Sequence, residues 1–383
     1  MKWNRRYLNY VMMYWGFYAG FALFTALLSV FLLDQGFSPL QVSHVTATGS
    51  LSAMVMQPIV GYLNDRFSAK KVNTVLMILT TLSAIGIIFS KLFIAILMSY
   101  GFGYALLVSL SPVLERMATQ SPFRYGNIRL WGTVGFAFGT QLGGLLYQAF
   151  GGPAVYLSFS LVVLLCLYGF SKIPHIPAPV VPKHEKVPLS TLWSNRLFVR
   201  YLIVAAIFLG STNVMNTYLT PMLVADKLPV NVATLVISIS VLIELPLVFY
   251  SYLFMDKLKI RFLLLTVFSA FALQFAVYSF VPNVYAKIFV ILFFKHTVGM
   301  LFNMTNLKII RTLVSDQLQS RTLAIVSTIG SPTAVLFQNI AGQILMHYSF
   351  NTLFLWLFGM ALLGLAFLAT LNIKDNPQLR LFS

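Results

Sequence analysis

Residues 7–33 read YLNYVMMYWGFYAGFALFTALLSVFLL, without one Asp, Glu, Lys or Arg. A helix of that length spans about 40 Å at 1.5 Å per residue, more than the roughly 30 Å hydrocarbon core of a bilayer. Arg5 and Arg6 precede the run and Asp34 closes it. It contains no small-residue cleavage site of the secretory kind, so it reads as a retained first membrane helix. The same pattern recurs along the whole chain. Apolar runs and their breaks predict twelve helices, at about 8–33, 40–64, 72–90, 92–117, 126–150 and 153–172, then 198–224, 231–255, 261–281, 285–312, 319–346 and 350–372.

Composition agrees. The 383 residues are 58% hydrophobic, 15% aromatic and 9% charged, against about 25% charged in a soluble domain. The net charge of +17 reflects topology, and no nucleic-acid partner is expected. With these spans, all of the 26 Lys and Arg except Lys91, Lys227, Lys287 and Lys295 fall on one side of the membrane. The positive-inside rule makes that side cytoplasmic and puts both termini there. A multi-pass protein of the cell membrane is expected, with anionic lipid contact as a secondary effect of its basicity. The single cysteine, Cys166, lies mid-helix and is given a packing role.

Residues 173–197 carry Pro174, Pro177, Pro179, Pro182 and Pro188 with a short charged run, which reads as a semi-extended linker. They divide the chain into a six-helix bundle over 1–172 and another over 198–383. The halves echo each other: Asp65-Arg66 ends the second helix and Asp256-Lys257 the eighth. Duplicated six-helix halves are a construction of secondary carriers, with the solute site between them near the midplane.

Four charges sit inside or at the ends of apolar segments: Glu115, Arg129, Glu244 and Lys295. The chain has only 9 acidic residues, and a charge at the centre of a spanning helix costs about 2.5–3.5 kcal/mol on insertion scales. Such residues face a bundle interior or a water-filled cavity and mark solute or ion paths. Glu244 lies between long apolar runs with no base within one turn, followed by Pro246, which can free backbone carbonyls. An acid charged in one state and neutral in another is what a proton carrier requires. Lys295, Gly299, Asn303 and Asn306 share one face of the tenth helix, with His296 beside them. Tyr14, Tyr18 and Thr25 form a stripe on the first helix, Asn213, Asn216, Thr217 and Thr220 on the seventh, and Gln338 and Asn339 mark the eleventh. Gly135, Gly139 and Gly143 make a small-residue ridge for close helix crossing.

The run Gly61-x-x-x-Asp65-Arg66-x-x-x-Lys70-Lys71 resembles the signature loop of the major facilitator superfamily, with Ser68 where that family prefers glycine. The resemblance implies that Gly61, Asp65, Arg66 and Lys70 gate conformational exchange, Gly61 permitting close helix approach. Pro112-Val113-Leu114-Glu115 and Tyr125-Gly126-Asn127-Ile128-Arg129 resemble the helix four to five region of the oligosaccharide:proton symporters, the lactose permease branch. They are closer still to the related phenylpropionate-permease-like carriers. In the lactose permease branch the arginine matching Arg129 binds sugar hydroxyls. The branch's helix-four glutamate is matched by Ser111, with Glu115 one turn further on, and its stacking tryptophan by Phe136. Its helix-ten glutamate position is Phe302. The resemblance therefore implies solute binding by Arg129, Phe136 and Glu244, and the polar stripes add Tyr18, Asn216 and Asn303 as solute contacts. For the proton it leaves Glu244 or Glu115, with Lys295 or His296 as switching partner, or coupling that has been lost.

The fold expected is all-α and membrane-embedded, with twelve transmembrane helices in two pseudo-symmetric six-helix bundles. The function expected is secondary active, proton-coupled uptake of a small polar solute, a sugar or oligosaccharide, by alternating access. Nucleosides or aromatic carboxylates are the alternative solutes, since Arg129 and Lys295 suit an anion as well as hydroxyls. A drug/proton antiporter and a non-transporting membrane sensor are more distant readings. The expected partners are the solute, protons and the lipid bilayer, and the expected state is a monomer. No phosphate-binding Gly-Lys-Ser/Thr loop marks an ATP-driven pump, no Cys/His spacing marks a metal site, and no clustered catalytic residues mark an enzyme. No cofactor is expected.

Overall fold

The structure, a computed structural model, describes residues 5–173, 194–314, 316–371 and 373. Most of the expected linker over 173–197, and the side chain of Asp65, lie outside the described residues. The described chain is built from twelve long helices. These are α1 Arg5–Asp34, which breaks at Ala26 and Leu27, α2 Pro39–Arg66, α3 Ala69–Phe89, α4 Phe93–Thr119, α5 Tyr125–Phe150 and α6 Gly152–Lys172. The second series is α7 Arg196–Ala225, α8 Val230–Phe249, α9 Ile260–Phe280, α10 Val284–Leu313, α11 Asp316–His347 and α12 Phe350–Ala369. Ten of them are apolar enough along an 18-residue window to cross a membrane by composition alone. The other two, α2 and α5, are of 28 and 26 residues.

Local chemistry fixes the helix ends. Ser38 and Gln41 form a reciprocal capping box at the start of α2, with Pro39 in its first turn. The Asn283 side chain caps α10 by accepting from the Tyr285 N–H at 2.8 Å. Gly151 turns α5 into α6 with φ of 78°, a conformation that a Cβ disfavours, and Pro153 follows in the first turn of α6. Large apolar side chains point outward along these rods, such as Phe89, Leu161 and Leu164. Lipid, not water, is the solvent for which such a surface is suited.

The chain forms two compact units, one of 1–179 with 216–242 and one of 180–215 with 243–383. In the first, α1 lies between α5 and α6, while α2 and α3 pack on α4. The glycine ridge of α5 is what lets α1 approach. A Cβ on Gly135 would stand 2.4 Å from the Trp15 carbonyl oxygen, and one on Gly139 would stand 2.3 Å from that of Ala19. Cys166 is buried on the other flank of α1 and donates its thiol to the Met13 carbonyl at 3.2 Å. The distal part of α7 and the first part of α8 belong to this unit through polar contacts. Ser29 Oγ donates to the Thr217 carbonyl at 2.6 Å, and Ser43 and Tyr218 share a hydroxyl bond of 2.6 Å. Thr234 donates to Gln141 Oε1 at 3.3 Å. The compact units thus differ from the division at 173–197 in one stretch, 216–242.

In the second unit α9 packs against α12 and α10. Its core is aromatic: Phe208 stacks on Phe302 at 3.9 Å between ring centroids, and Phe271 meets Phe275 at 4.4 Å. Within α10, residues Ile291–Lys295 form a π-helical turn. Such an insertion rotates the remainder of its helix and is frequent at functional sites. Here it ends on Lys295.

Candidate functional site

The first unit gathers Tyr14, Tyr18, Glu115, Tyr125 and Arg129 from α1, α4 and α5. The guanidinium of half-buried Arg129 lies 5.2 Å from the centroid of the Tyr18 ring, within cation–π range. The Tyr18 ring in turn meets the Tyr14 ring at 5.1 Å. Glu115 is held by two phenols: Tyr14 donates to its Oε2 and Tyr125 to its Oε1. Glu115 lies within electrostatic reach of Arg129, yet both its oxygens are already engaged. Among the described residues the Arg129 side chain makes no hydrogen bond, and its planar fork of donors remains available. Gly132, one turn along α5, makes room for this arrangement, since a Cβ there would stand 2.7 Å from the Tyr14 ring. Phe136 is half-buried two turns beyond Arg129 on the same helix.

The second unit holds a separate cluster. Glu244 on α8 and Lys295 on α10 are both half-buried, and the carboxylate lies within coulombic range of the ammonium. Lys295 Nζ is 2.9 Å from Nε2 of His296. Further along α10, a cavity of about 250 Å³ opens beside Asn303. Asn213, Asn303, Asn306 and Ser327 line it together with Leu209, Phe302 and Val326. A Cβ on Gly299 would meet nothing within 4 Å, so this face of α10 borders open space from Gly299 to Asn306.

Other sequence-expected residues lie outside these two clusters. The family resemblance gives Gly61 a role in close helix approach, but a Cβ there would meet nothing within 4 Å. The reason is its exposed place near the end of α2. Arg66 donates to Tyr62 Oη at 2.6 Å on its own helix, and Lys70 donates to the Ile173 carbonyl at 2.9 Å. The α7 stripe is divided. Asn213 accepts from Gln338 Nε2 at 2.9 Å in the second unit, whereas Asn216 is exposed and lies with Thr217 and Thr220 in the first. Thr25 and Asn339 bond carbonyls of their own helices. Tyr125 and the clamp it forms with Tyr14 escape the sequence reading, although Tyr125 opens the run that contains Arg129. Lys308 counts there only as a topogenic charge, yet it is 5% exposed and donates to the carbonyls of Met255 and Leu258 at 2.8 and 2.7 Å. Its place one turn before the end of α10 is the signal that would mark it as a cap for the α8–α9 turn.

The family model described as Major Facilitator Superfamily matches residues 10–331. The chain belongs to this superfamily. It is a multi-pass membrane protein of a family whose members are transporters of small molecules. Among curated relatives, the maltose permease of Geobacillus stearothermophilus is 25% identical over 209 residues, covering 53% of this chain and 52% of the permease. The probable 3-phenylpropionic acid transporter of Escherichia coli K12 is 28% identical over 190 residues, 47% of this chain and 48% of the relative. The chain thus spans about half the length of each. The crystal structure of the nucleoside transporter NupG superposes with a TM-score of 0.83 at 17% identity, covering 97% of this chain and 100% of NupG. That likeness shows the same twelve-helix fold.

Proposed function

We propose that this transporter is a proton-coupled carrier that takes up a small polar solute, a sugar or oligosaccharide, by alternating access. The observation that carries the reading is Arg129, half-buried over the Tyr18 ring with its donors uncommitted to protein. A fork of N–H donors beside aromatic faces suits adjacent hydroxyls on a ring whose apolar face stacks on Tyr18 or Phe136. The relationship to a maltose permease supports the same solute class. Glu244, with Lys295 in coulombic range and His296 beside it, is the group that takes up and releases the proton. Asn216 and Asn303 are the neutral polar contacts.

One observation favours a second solute class. Both oxygens of Glu115 are occupied by Tyr14 and Tyr125, so the acid nearest Arg129 is not offered to hydroxyls. A positively charged fork among aromatic rings then fits an aromatic carboxylate, the class named for the second relative. On either reading the six-helix halves over 1–172 and 198–383 are the moving bodies, joined by 173–197, and Gly61, Asp65, Arg66 and Lys70 act in their exchange. The basic side of the membrane is cytoplasmic and carries both termini, the membrane is the cell membrane, and the carrier acts as a monomer.

The test uses purified protein in proteoliposomes with weakly buffered external medium. Maltose, maltotriose, uridine and 3-phenylpropionate are added in turn, and external pH is followed. Alkalinisation on adding one sugar supports sugar–proton symport, and alkalinisation with 3-phenylpropionate supports the second reading. Labelled solute that equilibrates with no pH change rejects proton coupling.

A further inference from the structure

We infer that the basic end of the α3–α6 pair holds one anionic phospholipid. Its phosphate lies between Lys71 and Lys172, and its acyl chains lie along two exposed apolar stripes. The inference is independent of which solute is carried.

In the first unit α3 packs against α6. The start of α3 meets the end of α6, where Lys70 Nζ donates to the Ile173 carbonyl at 2.9 Å. Ile173 is buried, so the end of α6 is packed down at this contact. Lys71 and Lys172 are the chain neighbours of the two bonded residues, and both are exposed. Lys172 Nζ lies 5.7 Å from the centroid of the Tyr168 ring, one turn back on its own helix. Among the described residues neither ammonium makes a hydrogen bond. Each therefore keeps its N–H donors for an anion. Over 60–75 and 160–173 the bases Arg66, Lys70, Lys71 and Lys172 stand against a single acid, Asp65.

From each lysine an apolar stripe runs into the membrane. Val75, Ile78 and Leu82 are exposed at four, seven and eleven residues after Lys71. Tyr168, Leu165 and Leu161 are exposed at four, seven and eleven residues before Lys172. Those offsets keep each set on one face of its helix. Eleven residues rise about 16 Å, close to half of the roughly 30 Å hydrocarbon core, so each stripe is as tall as one leaflet. The inner faces of the same helices are spent on packing, with Met77 and Thr80 of α3 and Val163 and Cys166 of α6 buried. An exposed tyrosine one turn inside a terminal lysine is also the expected arrangement at headgroup depth.

Two ammoniums above two apolar stripes match the two parts of a phospholipid. A free phosphate satisfies only the ammoniums, and a zwitterionic lipid brings a cation of its own beside its phosphate. The preference for an anionic headgroup is about fivefold for each lysine near the surface. Other basic positions differ. Arg200 donates to the Thr370 carbonyl at 3.1 Å, and Lys308 is turned onto the carbonyls of Met255 and Leu258. Lys257 and Lys259 are exposed in the second unit, but both precede Ile260, the first residue of α9, so no helical stripe runs from them.

The experiment is native mass spectrometry of the full chain released from nanodiscs of equal parts phosphatidylglycerol and phosphatidylcholine with matched chains. The unsubstituted protein is expected to retain one phosphatidylglycerol in preference to phosphatidylcholine. Lys71→Gln/Lys172→Gln is expected to lower that preference about 25-fold, fivefold per lysine. Lys71→Arg/Lys172→Arg should keep it. Lys257→Gln/Lys259→Gln, which removes the same charge elsewhere, should leave it unchanged. All these side chains are exposed, and an unshifted melting temperature checks that each variant folds. Equal retention of the two lipids by the unsubstituted protein overturns the site. An equal loss of preference in the 257/259 variant also overturns it, in favour of diffuse basicity. Release of the retained lipid by millimolar inorganic phosphate would assign the lysines to a free anion and overturn the lipid.

Discussion

Glu244→Gln is the substitution that tests the coupling mechanism most directly. Glutamine keeps the size of the side chain and its carbonyl acceptor, and it removes the site for a proton. One pH unit across the membrane supplies about 1.4 kcal/mol per proton, which is a tenfold concentration ratio. A carrier moving one proton per neutral solute should therefore accumulate about tenfold against a one-unit gradient with the membrane potential clamped. In the Glu244→Gln protein the plateau is expected at an internal-to-external ratio of one. Exchange of labelled for unlabelled solute should persist, because Arg129 and its aromatic neighbours belong to the other unit and keep their contacts. The substitution also deprives Lys295 of the carboxylate within its coulombic range. Removing one member of a buried pair costs about 3–5 kcal/mol, and the half-buried setting here places the loss below that. A fall in thermal stability is expected for Glu244→Gln, with partial recovery in Glu244→Gln/Lys295→Gln. The assay is uptake into proteoliposomes under a valinomycin clamp, beside counterflow in the same preparation. Undiminished accumulation by Glu244→Gln would refute the assignment of the proton to this residue, and loss of counterflow together with accumulation would make it a solute-binding or folding residue instead.

Three other perturbations have outcomes set by the geometry. Arg129→Lys keeps the charge and loses the fork and its stacking over Tyr18; charge-assisted hydrogen bonds of about 1.5–3 kcal/mol predict a rise in KM of roughly 10- to 150-fold, read from initial uptake rates. The paired change Tyr14→Phe/Tyr125→Phe releases Glu115 to meet Arg129, so solute binding is expected to fall sharply. Adding Glu115→Gln should restore it, whereas a merely structural role for the tyrosines predicts no rescue. Gly139→Val would drive a side chain into the Ala19 carbonyl, whose oxygen lies 2.3 Å from the added Cβ. Separation of α1 from α5 is expected to cost about 1–3 kcal/mol or more, seen as a lowered melting temperature of the purified protein.

What could be read from the chain alone divides along a physical line. The helices were legible because lipid imposes a length and a polarity on every spanning segment, and the same constraint made Glu244 and Lys295 conspicuous. The glycine ridge of α5 was legible for a similar reason, since only close backbone approach explains small residues at that spacing. The partners of Glu115 were not, because partnership is decided across helices. Nothing local says that Glu115 ends in the grasp of Tyr14 and Tyr125, from helices one hundred and one and ten residues away in sequence. The π-turn at Ile291–Lys295 was invisible for another reason: it needs no special residue, and its effect is to rotate α10 by part of a turn. That rotation lies between Lys295 and the part of the helix before it, so periodicity counted through the whole span misplaces one end relative to the other. The face from Gly299 to Asn306 lies wholly beyond the insertion, so its spacing is unaffected by it. In a helical carrier, then, sequence marks where charge must be hidden, and the packing of helices distant in sequence decides which charge is left over for the solute. On the proposed reading that is Arg129, whose nearest acid is held by two phenols, and the tyrosine substitutions with their Glu115→Gln rescue are the direct measure of it.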